Sequence, residues 1–450
     1  MSKTASNSVF DIDGKPSFKA AFPLSLQHVL AMVVGNITPA IIVANVCKLS
    51  QADKTLLVQC AFFIAGIATL LQLYPVWKFG ARLPVIMGVS FAYVPTLTTL
   101  GSQYGIKAIF GAQLVGGVVA IFVGIFLKHL RKYFPPIVAG TVVLTIGLSL
   151  YTIAIKYMAG GANLPPEEFG SLKHWGVAVL TLVVVLICNQ FGKGYVKLAS
   201  ILIGIVVGYV VAFMLGMVNF ASIGQAGWFS VPKPMHFGLE FPINAIISMS
   251  IIYIVNSVQA VGDISATTVG GMGREATDEE LAGGIMGNGL SSVVASFFGG
   301  LPTATYSQNV GIVAMTKVVS RYILGLAAVV ILLAGFIPKI GAVMTTIPQS
   351  VLGGATITVF GMITMTGIRL IIQDELSNRN VTIVGLSLAL GMGISLVPES
   401  LSHFPESIRI IFGSSAVVIS SLLAFTLNII LPKATIVDEE KERKKFESKS

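Results

Sequence analysis

The chain has 450 residues, 54% of them hydrophobic and only 11% charged, with a mean hydropathy of +0.85 and a net charge of +9. A soluble domain carries about 25% charged residues, so the composition excludes one and leaves a polytopic membrane protein. The positive charge is no nucleic-acid signature, because the Lys and Arg residues sit in short loops and in the tail.

Cys47, Cys60 and Cys188 are scattered, without metal-ligand or disulfide spacing. Met1 to Phe22 is polar and lacks the apolar core of a cleavable signal peptide. Asp438 to Ser450 is charge-rich and reads as disordered.

A spanning helix needs about 20 mostly apolar residues. In chain order the candidate spans are 24–46, 55–74, 84–100, 108–127, 135–155, 174–190, 198–218, 242–260, 282–298, 302–316, 321–337, 348–368, 380–397 and 412–432. That makes about fourteen. Spans 3 (84–100) and 10 (302–316) are short and interrupted, each opening on Leu-Pro.

With the N-terminus in the cytoplasm, alternating loops place 21 of the 29 Lys and Arg residues inside. Cytoplasmic loops carry this excess, so both termini are assigned to the inside, which requires an even number of spans.

Two stretches repeat. Leu83-Pro84 is followed by VIMGVSFAYVPTLT, and Leu301-Pro302 by TATYSQNVGIVAMT. That alignment sets Ser90 opposite Gln308 and Phe91 opposite Asn309. Pro135-x-x-Val138-x-Gly140 likewise matches Pro348-x-x-Val351-x-Gly353. Both offsets are about half the chain, so two halves of seven spans are expected. Seven is odd, so the halves have opposite topology, an inverted repeat whose paired broken helices point to a midplane binding site.

Polar groups concentrate in four places. Gln27 and His28 lie in span 1, where an intramembrane His faces the bundle interior; a packing bond and a substrate contact both remain open. Ser90, Phe91 and Tyr93 lie in broken span 3, where Phe91 either packs or stacks on a flat heterocycle. At the end of span 8, Gln259 and Asp263 are four apart and share a helix face. Asp263 is either an intramembrane proton relay or a residue of the cytoplasmic helix end.

The fourth place is Gly299 to Arg321, with Gln308 and Asn309. Such polarity is tolerated in hydrocarbon only where it is buried in protein or lines a polar cavity. A Gln amide can make a bidentate bond to a ring amide, which favours substrate contact for Gln308. Asn309 reads instead as a stitch in the broken helix. There is no phosphate loop, no His-Glu-x-x-His and no hydrolase constellation, so transport is passive or ion-coupled and the chain is not an enzyme.

Gln308-Asn309-x-Gly311 followed by Thr316-Lys317 resembles the signature of the nucleobase–ascorbate transporter family. Gly262 to Thr267, Pro348 to Gly354, Ser25 to Leu30 and Ser90-Phe91 resemble it too, and the likeness covers nearly the whole chain. Bacterial xanthine and urate permeases are the nearest in character. The resemblance implies an all-α fold of fourteen spans in a 7+7 inverted repeat, with a short strand beside a half-helix in spans 3 and 10.

It also implies a core domain (23–134 and 242–340) and a gate domain (135–241 and 341–432), between a cytoplasmic N-terminal segment (1–22) and tail (433–450). Homodimers, elevator-like movement and location in the plasma membrane go with it. Position by position, Gln308, Gln259, Phe91, Ser90 and Asn309 fall at substrate-binding places, and Asp263, His28 and Asn288 at coupling or gating places. No cofactor is implied beyond a coupling ion, H+ or alternatively Na+. The partners are a small nucleobase and the lipid bilayer.

Two positions depart from the family pattern. Gln259 and Asn288 stand where the purine permeases usually carry carboxylates. Both keep hydrogen-bonding capacity and lose a titratable group, which puts proton coupling in question and points to a carbonyl-rich base such as urate. The resulting expectation is a purine permease for xanthine or urate working by proton symport. The rivals are a uracil or other nucleobase carrier that is sodium-coupled or uncoupled, a carrier of another anion, a channel, and a non-transporting sensor or scaffold.

Overall fold

The computed structural model describes residues 10–130, 133, 135–161, 164–413, 415–433, 435–437 and 441. The expectation of disorder from Asp438 onward therefore concerns residues that, Lys441 apart, lie outside the described ones.

Helices dominate, as they must where no water can satisfy a backbone group. In chain order they are α1 (Phe18–Val46), α2 (Gln51–Leu73), α3 (Val94–Tyr104), α4 (Ile106–Ile125), α5 (Pro136–Met158), α6 (Leu172–Phe191), α7 (Ser200–Met214) and α8 (Ile243–Thr267). There follow α9 (Asp278–Phe298), α10 (Ser307–Thr316), α11 (Arg321–Ala334), α12 (Pro338–Thr345), α13 (Gln349–Ile371), α14 (Asn378–Leu396) and α15 (Ala416–Ile430). Two strands, β1 (Met87–Val89) and β2 (Thr303–Thr305), precede α3 and α10.

Among the described residues nine helices are long and apolar enough to cross a membrane: α1, α2, α4, α5, α6, α8, α9, α13 and α14. The other five predicted spans are shorter or broken. α7 and α15 have 15 residues each. α11 and α12 form one apolar run bent by 80° at a short break, where the sequence predicted a single helix to residue 337. Spans 3 and 10 are the strand–helix units. Helix α8 runs seven residues past its predicted end at 260 and closes in a π-turn, Thr268–Met272.

The chain forms two compact units, residues 1–127 with 153–358 and residues 128–152 with 359–450. In the second, α14 packs on α15, and Ile137, Val138, Leu144, Ile371, Ile383 and Ala424 make a buried core. The Tyr151 hydroxyl donates to Thr364 Oγ1 at 2.7 Å, and Thr145 and Ser420 share a buried hydroxyl bond.

The first unit carries an internal two-fold. α4 packs on α8 and α9, and its counterpart α11 packs on α1 and α2. The close approaches are mirrored. A Cβ at Gly66 would lie 2.6 Å from Leu332 Cβ, and one at Gly289 would lie 2.6 Å from the Gly117 carbonyl. Small residues let membrane helices meet backbone to backbone in this way.

At the centre, β1 and β2 pair antiparallel with Gly88 opposite Ala304, Met87 opposite Thr305 and Val89 opposite Thr303. The pattern continues one step outward on each side: Ser90 N–H donates to the Pro302 carbonyl and Tyr306 N–H to the Ile86 carbonyl.

This register corrects the sequence alignment by two residues. The two-fold takes Met87 to Thr303, so Ser90 corresponds to Tyr306 and Phe91 to Ser307, not to Gln308 and Asn309. The Leu-Pro dipeptides misled because the link from Pro84 to β1 is two residues longer than that from Pro302 to β2.

Candidate functional site

The site is built where the strands cross. Each strand is followed at once by a helix, so the N-termini of α3 and α10 flank the strand pair, and N-termini carry partial positive charge. Strands this short need outside anchoring, and side chains supply it. Thr69 on α2 receives the Met87 N–H at 2.9 Å, and Ser292 on α9 receives the Thr303 N–H at 3.4 Å. Asn36 on α1 accepts the Val89 N–H at 2.8 Å, and the Tyr306 hydroxyl donates to the Val89 carbonyl at 2.6 Å.

Asp263 lies inside α8, 9% exposed, and not at a solvated helix end. Its Oδ2 accepts the Thr305 hydroxyl at 2.5 Å and its Oδ1 the Ser307 hydroxyl at 2.7 Å. One carboxylate thus clamps the end of β2 and the first residue of α10. Protonating it requires one of those hydroxyls to turn.

Asn309 ties α10 to α1. Its Nδ2 lies 3.0 Å from the His28 carbonyl, to which it donates, and 3.1 Å from His28 Nδ1. Both residues are buried. The geometry is that of a stitch between helices. Asn288 Oδ1 accepts the Thr303 hydroxyl at 3.2 Å, and Ser291 meets the same hydroxyl at 3.0 Å, so Asn288 fixes β2 from the α9 side. Ser90 caps the turn into α3 by accepting the Ala92 N–H at 3.1 Å. Phe91, buried, begins that turn.

Gln308 and Gln259 differ from these. Both are half-buried, and neither side chain makes a hydrogen bond to a described residue. Asp263, bonded to Ser307, brings their helices together one turn from Gln259 and next to Gln308. Beside them the surface is open, since a Cβ on Gly262 or Gly311 would meet nothing within 4 Å. Gly311 shares the Gln308 face of α10. Two amides, unspent on any described residue, therefore sit at the rim of an open crossing.

Asn36 and Thr69 were missed by sequence reasoning. For Asn36 a signal existed: Gly35-Asn36-Ile37-Thr38 in α1 matches Gly262-Asp263-Ile264-Ser265 in α8. Asn36 is the two-fold counterpart of Asp263, and each holds the opposite end of the strand pair. Thr69 carries no motif and is visible only through its contact.

Comparison with known proteins agrees with this architecture. A Permease family model matches residues 19–400. The uric acid permease PucJ of Bacillus subtilis is 38% identical, with 92% of this chain and 93% of that protein aligned. The xanthine permease XanQ of Escherichia coli is 36% identical over 95% of this chain and 94% of its own length.

Among solved structures, the transmembrane domain of the cyanobacterial bicarbonate transporter BicA superposes with a TM-score of 0.60, 15% identity, and 92% and 99% of the two chains covered. Murine Solute Carrier 26 family member A9 gives 0.63 at 11% identity, covering 93% of this chain and 68% of its own. These two likenesses show a shared polytopic fold. The sequence matches go further, and the chain belongs to the nucleobase–ascorbate transporter family, whose family model and curated relatives are xanthine and uric acid permeases.

Proposed function

We propose that this protein is a secondary transporter that carries an oxidised purine base, xanthine or urate, across the plasma membrane by proton symport. The observation that carries the reading is the pair Gln308 and Gln259, half-buried amides at the strand crossing whose side chains bond no described residue. A base with alternating ring N–H and carbonyl groups matches amides that both donate and accept. Phe91, where the α3 turn starts, supplies an apolar face for the ring, and Ser90 sets that turn. A site of this kind rejects analogues lacking the matching group, because its own polar atoms would go unpaired.

Asp263 is the proposed proton carrier. Its two hydroxyl bonds couple its protonation to its grip on β2 and α10. His28, Asn309 and Asn288 hold the site's shape. The core (23–134 with 242–340) carries the site past the gate (135–241 with 341–432), in a homodimer with both termini in the cytoplasm. The excess of Lys and Arg in the loops assigned to the inside supports that orientation.

The test is uptake of radiolabelled xanthine and urate by a host lacking its own purine transport, with unlabelled bases competing, at two pH values and with sodium varied. Saturable uptake that rises with the proton gradient is expected. No uptake of either base from a well-expressed protein overturns the reading. Uptake that follows sodium overturns the proton assignment alone.

A further inference from the structure

A cavity of about 530 Å³ lies apart from the strand crossing, between the C-terminal end of α1, the start of α2, the segment after α7 and the junction of α12 with α13. That volume is within the roughly 300–1,000 Å³ of small-molecule pockets. Among the described residues fourteen line it: nine are polar, Lys54 is their only cation, and no carboxylate is among them. The nearest acid in sequence, Asp53, is already engaged by Ser50 and by His236 at 2.8 and 2.9 Å.

Lys54 is half-buried and positioned. Its Nζ donates to Asn45 Oδ1 at 2.7 Å, and Asn45 Nδ2 donates to the Tyr157 hydroxyl at 3.2 Å. The relay spends the amide on both sides and leaves the ammonium two of its three donors. Gln51 is similarly fixed, donating to Thr345 Oγ1 at 2.9 Å. Around this single charge stand further amides and hydroxyls, Asn219, Ser222, Gln225 and Thr346.

A lipid tail has no use for such a wall, and a metal cation is repelled by it. We propose that this cavity is a second binding site for a planar organic monoanion with several carbonyl and N–H edges, and that Lys54 neutralises it. On the reading above, which this inference presupposes for its ligand, the occupant is the purine base in its anionic form, held at the outer face before it reaches Gln308. The outer assignment follows from the Lys and Arg distribution.

The experiment compares urate, an anion at neutral and mildly acidic pH, with xanthine in mildly acidic medium, where xanthine is neutral. Lys54→Met is expected to raise the KM for urate about tenfold, the loss of one charge-assisted bond, with kcat and the xanthine KM unchanged. Lys54→Arg is expected to retain most of the urate affinity. Equal effects on both bases, or none, overturn the proposal, since a merely structural Lys54 does not distinguish charge.

A second arm separates this site from the central one. Urate binding to purified protein carrying Gln308→Ala is measured by calorimetry, with and without Lys54→Met. Residual binding that Lys54→Met removes supports the cavity, and its absence overturns it. Uptake that persists in Gln308→Ala instead counts against the central site alone.

Discussion

Replacing Thr305 with Val removes one hydroxyl and almost nothing else. The side chain is 4% exposed and the two residues are nearly equal in volume, so packing survives. What is lost is the 2.5 Å bond to Asp263 Oδ2. A hydrogen bond to a charged acceptor contributes about 1.5–3 kcal/mol, and a buried oxygen left unmet adds to the penalty. At about 1.4 kcal/mol per factor of ten, the end of β2 becomes roughly 10- to 150-fold easier to release from α8.

Thr303→Val is the control. Its hydroxyl meets only neutral partners on α9, so the cost is about 1 kcal/mol. Thermal unfolding of the purified protein, followed by size-exclusion of the surviving fraction, reads the difference. Thr305→Val should unfold at a clearly lower temperature than Thr303→Val and should transport more slowly. A double-mutant cycle with Asp263→Asn isolates the bond. If Thr305→Val costs as much in the Asp263→Asn background as in the native protein, the clamp is not what holds the half-helix and the reasoning fails.

Other outcomes follow from the same geometry. Gln308→Ala should abolish uptake while leaving expression and thermal stability unchanged, because the Gln308 side chain bonds no described residue; lost stability would make it structural. Gln259→Glu should change the substrate range or pH profile of uptake, and a variant identical in both removes Gln259 from the binding shell. Gly66→Ala should lower thermal stability by several degrees, since the new methyl lies 2.7 Å from the backbone of Leu332; unchanged stability would show that α2 and α11 separate freely.

Asp13, outside the spans, is held below its ordinary range chiefly by its hydrogen bond to Arg321. Its contribution is therefore complete above the ordinary Asp value of about 3.9 and disappears as the pH falls through its lower folded value. The stability gap between native protein and Asp13→Asn should close on acidification across that window. A gap that widens in acid contradicts the assignment.

The parts of the fold that hydropathy encodes were legible. Most predicted spans begin and end within a few residues of their helices, because an apolar run of sufficient length has few alternatives in a bilayer. Where polarity changes without a change of structure, the reading slipped. α1 starts at Phe18, six residues early, since its first turns carry Lys19 and reach beyond the apolar run. α8 continues through Gln259 and Asp263 because Asp263 is buried and bonded to Thr305 and Ser307, and hydropathy cannot distinguish that from a helix end.

The site was legible as composition but not as geometry. Gln308, Asn309 and Asp263 announce themselves as polar groups in hydrocarbon. That Asn309 spends its amide on His28 while Gln308 spends none is a matter of which way α10 faces. The register of three-residue strands is set by contacts from α1, α2 and α9, so a motif alignment of their flanks missed it by two positions.

The pairing of β1 with β2 also bears on how the chain is made. Gly88 and Ala304 face each other from positions 216 residues apart. At about 5–20 residues per second, the ribosome delivers the second roughly 10–40 s after the first. For that interval β1 is in or near the bilayer with half of its backbone bonds owed to a segment not yet synthesised, a costly state in hydrocarbon. Insertion of this protein therefore has a waiting step at its centre. The helices made before β2 form a half-built product whose central strand lacks its partner, and a chain truncated before β2 is expected to be a substrate for proteolysis, not a smaller transporter.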